Sequence, residues 1–330
     1  MGRFHPRRYC LCRRLQSTSR HLIVSSCFLI LLTLPAHPAT LASSTSLQIG
    51  GANLQIDFTG VEPDVSKSLI ILKISKSAQA VAAYYGRFPV SSARILVAVT
   101  AGEHGVLHGT TWGSRDGYPA VTRLIIGQHT TPPEFDTDWI VTHELVHMAM
   151  ASLPDAQHWL EEGIATYVEP IVRLQAGQLG PERFWADMLG GMPHGQPEAL
   201  DRGLDRTHTW GRTYWGGALF CLVADVEIRR QTNNQYGLQD ALRAIVAAGG
   251  TIDKDWPVAR VLRAGDNATG TSVLQDIYNK WSETPVGVDL PLLWKQMGVQ
   301  AEAAHIVFDD TAPLARIRLG ITAPKQAGRP

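Results

Sequence analysis

The string HELVH at positions 143–147 is the part of the sequence whose residue types and spacing most directly indicate chemistry. Two histidines four positions apart lie on one face of a helix, so both imidazoles can bind one metal ion. Glu144 stands beside them, where its carboxylate can reach a water at that ion. The string therefore predicts a metal site with a carboxylate base next to it.

The residues around this string predict the helix that must carry it. Pro132 and Pro133 end the preceding segment, and Asp136 or Thr137 can cap a new helix. Apolar residues then provide a surface that buries the helix. We expect one helix over residues 136–152.

A catalytic zinc site needs a third protein ligand and keeps one position open for water. The chain breaks at residues 152–155 and then predicts a second helix over 157–174. At roughly 1.5 Å per residue, the distance from His147 to the break is similar to the distance from the break back along the second helix to Glu161 or Glu162. Glu161 or Glu162 therefore returns to the level of the histidines.

The two segments together resemble the gluzincin metallopeptidases, the group that contains thermolysin and aminopeptidase N. HELVH is followed by WLEEGIATYVE at 159–169, with 14 residues between His147 and Glu162. In the aminopeptidase branch, the Glu of a Trp-Leu-x-Glu-Gly-x-Ala string is the third zinc ligand, and the spacer is longer. The resemblance implies that Zn²⁺ is bound by His143, His147 and Glu162, and that Glu161 occupies the variable position.

A second stretch, TYWGGAL at 213–219, extends the resemblance. In the aminopeptidase group, a Tyr before a Gly-Ala pair donates a hydrogen bond to the oxyanion, and Tyr214 matches that position. A phenol is a suitable donor for this purpose. The alternative is an ordinary aromatic residue at a helix start.

The mechanism that the resemblance implies is hydrolysis of a peptide bond by a zinc-activated water. Glu144 would act as the general base. Glu169 lies seven residues after Glu162 on the same helical face, so it either accepts a hydrogen bond from a ligand histidine or is a solvated or capping carboxylate.

One family feature is missing. Aminopeptidases carry a Gly-x-Met-Glu-Asn strand whose Glu holds the free amino group of the substrate, and nothing between Ala98 and Thr137 matches it. We therefore expect an endopeptidase more than an aminopeptidase. The segment Ala120 to Gly127 could be an edge strand that pairs with an extended peptide.

Two other functions stay open. The first is a non-catalytic peptide-binding domain on a peptidase scaffold, and the second is a zinc hydrolase of a non-peptide amide or ester. The other histidines do not decide between them: His104, His108 and His129 are typical of polar surface loops, and His158 does not fit a ligand spacing.

The N-terminus predicts export. Arginines precede the apolar run 22–34, LIVSSCFLILLTL, which is followed by small residues, as in a secretory signal peptide over residues 1–42. Cleavage is expected near Ala39 or Ala42, and the protein is then secreted or periplasmic. An uncleaved signal anchor, which would tether it to the membrane, is the alternative. Only Cys221 remains after such cleavage, so no internal disulfide forms.

The amino-acid composition indicates which kind of partner to expect. The 330 residues include 30 basic and 30 acidic residues, and 45% are hydrophobic. Six of the basic residues lie in the first 42, so the remainder is mildly acidic. This chain can bury a sizeable core, and nothing in its charge indicates a nucleic-acid partner. A peptide or protein substrate is the expected partner.

The periodicity predicts an α+β domain over 43–330, and the resemblance implies that this domain is zincin-like. The lobe 43–135 is a small mixed sheet: a strand or hairpin is expected over 47–59, strands over 94–100 and 120–126, and a helix over 65–85, while glycines punctuate the segment 102–117. The lobe 136–300 is mainly helical, with further helices over 181–190, 210–231, 236–248 and 271–283. The tail 301–330 has strand-like sequence.

Overall fold

The computed structural model describes residues 43–303 and 305–324. The signal peptide or signal anchor expected over residues 1–42 lies outside this range. Within the described residues, no helix combines the length and the apolar composition that crossing a membrane requires.

A five-stranded mixed sheet forms the N-terminal part of the described chain. Its strands are β1 Ser43–Ile49, β2 Ala52–Gly60, β3 Ser92–Thr100, β4 Val106–Arg115 and β5 Tyr118–Gly127. The order across the sheet is β1-β2-β3-β5-β4. The inner pairs β2/β3 and β3/β5 are parallel, whereas β1/β2 and β4/β5 are antiparallel. The sheet therefore has β1 at one edge and β4 at the other.

Two predictions for this sheet are wrong. The segment Ala120 to Gly127 belongs to β5, which pairs with strands on both sides and is not an edge strand. The glycine-punctuated segment 102–117, to which no strand was assigned, contains β4. Gly109 and Gly113 interrupt its pattern because other parts of the protein approach β4 too closely for side chains at those positions.

Helix α1, Lys67–Tyr85, connects β2 to β3 and confirms the expected helix. The Ser66 hydroxyl accepts the N–H of Leu69 at its start. At its end Gly86 has φ 83°, a left-handed conformation that a glycine adopts without strain. Residues on one face are buried at helical spacing, among them Ile70, Ile74, Ala78, Val81 and Tyr85. They belong to one continuous core that the sheet and the later helices share.

The rest of the described chain is mainly helical, as predicted. The helices are α2 Pro132–Thr137, α3 Ile140–His147, α4 His158–Gln175, α5 Pro181–Gly191, α6 Gly217–Gln231, α7 Leu238–Ala247, α8 Val258–Thr269, α9 Val273–Trp281, α10 Leu290–Met297 and α11 Ala315–Thr322. A turn of π-helix over Gly211–Gly216 leads into α6. Strands β6 Val299–Glu302 and β7 His305–Phe308 pair as a hairpin. The predicted α+β class is confirmed.

The single helix predicted over 136–152 is instead two short helices, α2 and α3. The carboxylate of Asp138 accepts the N–H groups of Ile140 and Val141 at 3.0 and 3.2 Å. These bonds satisfy the free donors at the start of α3. The side chain of Asp138, rather than that of Asp136 or Thr137, therefore caps the helix that carries HELVH.

Three helices were not predicted: α8, α10 and α11. The last of these corrects the strand-like assignment of part of the tail 301–330. Alternating arginines in ARIRLGI resemble an exposed strand face, yet Arg318 is buried, donates to the carbonyl of Gly298 at 2.6 Å and pairs with Asp310. A buried arginine that is paired elsewhere in the fold cannot be distinguished from an exposed one by periodicity alone.

Candidate active site

Helix α3 places His143 and His147 one turn apart on the same face, as predicted. Their Nε2 atoms are 3.2 Å apart. The ring of Trp139 meets that of His143 edge-on, with 5.3 Å between centroids. His143 is buried and His147 is nearly so, which limits the freedom of both rings. The two nitrogens thus point to one place.

Helix α4 brings a carboxylate to the same place. Oε2 of Glu162 lies 3.3 Å from Nε2 of His143 and 3.5 Å from Nε2 of His147. The other candidate, Glu161, points away: its oxygens accept the N–H of Leu153 and contact His158. Of the two glutamates that the spacing allowed, the structure brings Glu162 to the histidines.

These three atoms fit a metal ion. A tetrahedral zinc with bonds of about 2.0–2.1 Å would separate neighbouring ligand atoms by about 3.3 Å. The three observed separations are 3.2, 3.3 and 3.5 Å. Two imidazoles and one carboxylate are also a usual ligand set for catalytic zinc.

The electrostatics of the three groups also favour a cation between them. Burial opposes the ionisation of Glu162, but the facing rings of His147 and His143 outweigh it and hold its pKa well below the usual value. Burial likewise favours a neutral His147, but the carboxylate of Glu162 raises the pKa of that ring to about 9. A buried carboxylate of this kind requires a positive partner, which can be a proton or a metal ion.

Glu144 lies next to this cluster on α3. One of its carboxylate oxygens is within 4.8 Å of a ring nitrogen of each histidine. The side chain is buried against β4, where Oε2 accepts a hydrogen bond of 2.8 Å from the Thr111 hydroxyl. Glu144 is thus held beside the three candidate ligands, as the HELVH spacing predicts.

Tyr214 stands on the π-helical turn before α6, facing the same site. Its ring lies 6.5 Å from that of His143 at an interplanar angle of 28°, and 6.4 Å from that of Trp210. Single turns of π-helix occur often at functional sites, because the extra residue re-aims a side chain. The structure therefore brings Tyr214 to the histidine cluster.

Glu169 does not contact the histidines. It is buried beside Arg173, whose Nη1 donates to Oε1 at 3.2 Å, while Nδ1 of His143 has no hydrogen-bond partner within the described residues. The proposed role of Glu169 as an acceptor for a ligand histidine is wrong. The burial of this carboxylate depends on Arg173 instead.

His104 and His129 lie in loops, as expected, whereas His108, also expected in a loop, lies half-buried in β4. His129 pairs with Asp64, and His104 stands 3.7 Å from a carboxylate oxygen of Glu134. His108 shares a hydrogen bond of 2.9 Å with Thr110. None of these contacts involves the three candidate ligands.

Two residues near the site were missed or set aside. Nε2 of His158 is 3.4 Å from Oε1 of Glu162, so it contacts a candidate ligand without being one itself. This contact could have been predicted, because residues four positions apart on one helix are neighbours on its surface. Thr111 gave no signal, because only the packing of β4 on α3 brings it to Glu144.

Comparison with known proteins supports the fold. No protein-family model matches the chain, and no curated protein matches it. A crystal structure of an aminopeptidase N family protein from Idiomarina loihiensis matches with a TM-score of 0.58 at 15% identity, covering 78% of this chain and 49% of that one. An M1 zinc metallopeptidase from Deinococcus radiodurans matches with a TM-score of 0.48 at 18% identity, covering 75% of this chain and 52% of that one.

The first of these matches shows that the described chain shares the fold of an aminopeptidase N family protein. This chain spans about half the length of the two solved chains. The resemblance inferred from HELVH and WLEEGIA therefore agrees with the similarity in fold.

Proposed function

We propose that this protein is a zinc-dependent peptidase that hydrolyses internal peptide bonds. The observation that carries the proposal is the convergence of Nε2 of His143, Nε2 of His147 and Oε2 of Glu162 at 3.2–3.5 Å from one another, with Glu144 beside them. A non-catalytic scaffold has no need to keep a base next to a complete ligand set.

His143, His147 and Glu162 would hold the zinc ion. When bound, zinc supplies Lewis acidity toward the scissile carbonyl and toward the attacking water. Glu144 accepts the proton of that water and passes it to the leaving amine. Tyr214 donates a hydrogen bond to the oxygen of the tetrahedral intermediate.

Strand β4 is the surface that suits an extended peptide. It is one of the two edge strands of the sheet, and its Thr111 contacts Glu144 on α3, so an extended peptide paired with it would lie beside the site. Its sequence, VLHGTTWGSR, contains no Asp or Glu that could hold a free α-amino group. This composition supports an endopeptidase rather than an aminopeptidase.

Export remains part of the proposal. We infer it from the basic and apolar composition of residues 1–42, with cleavage near Ala39 or Ala42 and an uncleaved anchor as the alternative. The substrates would then be peptides or proteins outside the cytoplasm.

The test is cleavage of a mixed peptide library by the zinc-loaded protein, read by mass spectrometry. Glu144→Gln is the matched control, because it keeps the shape of the side chain and removes the base. We expect internal cuts that this variant makes about 10²–10⁴ times more slowly. Zinc content should be one ion per chain and should fall in His147→Ala.

Each other outcome points to one of the alternatives. Stepwise loss of N-terminal residues would identify an aminopeptidase that holds the amino group in another way. Peptide binding without cleavage by a zinc-loaded protein would favour the binding domain. Hydrolysis of amide or ester substrates, with peptides left intact, would indicate a non-peptide zinc hydrolase.

A further inference from the structure

The hydroxyl of Thr111 on β4 has three oxygen neighbours. Its Oγ1 lies 2.8 Å from Oε2 of Glu144, 3.0 Å from the main-chain oxygen of the same residue, and 2.9 Å from Oγ1 of Thr122 on β5. Thr122 is fully buried. Two adjacent strands of the sheet therefore meet Glu144 through one pair of hydroxyls.

Chemistry sets the direction of these hydrogen bonds. A threonine hydroxyl donates one proton, and an ionised carboxylate can only accept. If Thr111 donated to Thr122, its lone pairs would face the charged Oε2 of Glu144. The stable arrangement has Thr122 donating to Thr111 and Thr111 donating to Glu144, in a bond that the negative charge strengthens.

Gly109 completes this contact from the same strand. A Cβ at Gly109 would stand 2.3 Å from Cγ and 2.7 Å from Oε1 of Glu144. Only a residue without a side chain lets β4 approach the carboxylate so closely. The strand therefore surrounds the carboxylate, with Oε2 bonded to Thr111 and Oε1 next to Gly109.

We propose that Thr111 is the positioning residue for Glu144: its hydrogen bond fixes Oε2, so that Oε1 is left to take the proton of the attacking water. The proposal rests on the proposed peptidase function. It explains why the base lies on an α-helix but is aimed by the neighbouring β-strand. A base held within a narrow range of orientations loses less entropy on reaching the transition state.

If Thr111 had a purely structural role, its loss would have different effects on zinc binding and substrate binding. The N–H of Met148 bonds to Leu145 at the end of α3, and Thr111 is close enough to satisfy the main-chain oxygen of Glu144. Loss of that bond would destabilise α3 as a whole. Zinc binding and substrate binding would then suffer together with turnover.

The variants are Thr111→Val, which removes the hydroxyl at constant shape, and Thr111→Ser, which keeps it. Thr142→Val is the matched control. It makes the same change of side chain on α3, but the hydrogen bond that it removes is the one of 2.9 Å from Thr142 to Ser77 on α1, not one to Glu144. We expect kcat to fall about 10- to 100-fold in Thr111→Val, with KM and zinc content near those of the wild type. In Thr111→Ser and Thr142→Val, kcat should stay within about threefold of the wild-type value, because both variants keep the hydrogen bond to Glu144.

A second measurement does not depend on peptidase activity. A small hydroxamic acid gives up a proton when it chelates zinc, and Glu144 is placed to receive that proton. Thr111→Val should weaken its binding to the zinc-loaded protein about tenfold, but should have no further effect in a Glu144→Gln background.

Three results would overturn the proposal: an unchanged kcat in Thr111→Val, equal losses in Thr111→Val and Thr111→Ser, or additive effects of Thr111→Val and Glu144→Gln on hydroxamate binding. Failure of the peptidase proposal looks different. In that case the zinc-loaded wild type cleaves no peptide, while the hydroxamate cycle still decides the role of Thr111.

Discussion

The two oxygens of the Glu162 carboxylate have different surroundings. Oε2 faces His143 and His147, whereas Oε1 lies 3.4 Å from Nε2 of His158. His158 is itself held through Nδ1, which is 2.9 Å from Oε2 of Glu161. This chain of contacts fixes the orientation of Glu162, so that one oxygen is presented to the two histidines.

We expect His158→Ala to shorten the retention of zinc. Groups that orient a metal ligand typically contribute 10- to 100-fold in metal affinity or activity, and about tenfold is expected here because His158 is half exposed. The measurement is the rate of zinc transfer to a chromogenic chelator. His129→Ala is the matched control, since His129 pairs with Asp64 away from the site. Equal transfer rates in all three proteins would contradict the role of His158.

A site residue was easier to predict from the sequence when the residues that position it are close to it in the chain. His143, Glu144 and His147 follow from the geometry of one helix. Glu162 needed a second helix and a resemblance to separate it from Glu161. Thr111 reaches Glu144 only through the packing of a strand on a helix 33 positions away, and threonine alone gives no indication of such a contact.

At the scale of elements, two glycines set how closely α4 and α6 pack. A Cβ on Gly163 would stand 2.3 Å from Cα of Gly217, and a Cβ on Gly217 would stand 2.2 Å from the main-chain oxygen of Trp159. Gly163 directly follows Glu162, and Gly217 follows the turn that carries Tyr214. This close approach therefore sets the separation between the candidate metal ligand and the candidate oxyanion donor.

Gly163→Ala should force these helices apart. We expect the free energy of unfolding to fall by about 1–3 kcal/mol, because the added methyl meets main chain that cannot rotate away. kcat should fall as well, since Glu162 and Tyr214 shift relative to each other. Denaturant titration and steady-state kinetics measure the two effects.

Gly190→Ala is the control for this change. Gly190 lies in α5, and a Cβ there would have no neighbour within 4 Å. Removing a glycine from an open helical position stabilises a protein by about 0.4–1 kcal/mol. A Gly163→Ala protein that is as stable and as active as Gly190→Ala would show that the helices can adjust without cost.

The same kind of contact explains which elements could be predicted. Amphipathic helices such as α1 and α4 follow from periodicity, because their own residues determine the buried face. Strand β4 was missed because Gly109 accommodates Glu144, and Gly113 accommodates the main-chain oxygen of Ile252. Locally these glycines resemble loop residues, and their structural reason lies elsewhere in the fold.

At the scale of the whole molecule, a buried charge cluster joins three elements that surround the site. Lys73 on α1 donates to the main-chain oxygen of Asp138 and lies 3.6 Å from its carboxylate, at the start of α3. Glu169 and Arg173 on α4 pair with each other, and Nη2 of Arg173 also reaches the oxygen of Asp136. The cluster therefore connects α1, the start of α3 and α4, and through Asp136 it also contacts α2.

Burial changes the proton affinities in this cluster. It raises the pKa of Glu169 to about 7, against the opposing effect of Arg173, and the charge of Asp138 adds to the rise. Burial also raises the pKa of Asp138 and lowers that of Lys73, each partly offset by the other. The folded state thus holds a proton on Glu169 at a pH where the unfolded chain has released it.

The stability of the protein should therefore depend on pH through Glu169. Because the folded pKa is raised from 4.5 to about 7, its contribution is fully present below pH 4.5 and is lost as the pH rises through about 7. Glu169→Gln cannot titrate. The free energy of unfolding of the wild type minus that of Glu169→Gln should fall by about 2–3 kcal/mol between pH 5 and pH 8, at about 1.4 kcal/mol per pKa unit.

Urea titrations at several pH values, with a chelator present so that zinc loss does not contribute, measure this difference. Glu227→Gln is the control, because Glu227 lies on the surface of α6 and its bonds to Arg230 and Gln231 lower its pKa. The corresponding difference for Glu227→Gln should change by no more than about 0.2 kcal/mol above pH 5, since that carboxylate is largely ionised in both states. A difference for Glu169→Gln that is equally flat would mean that Arg173 keeps Glu169 ionised throughout. The charge cluster would then hold α1, α3 and α4 together with the same strength across this pH range.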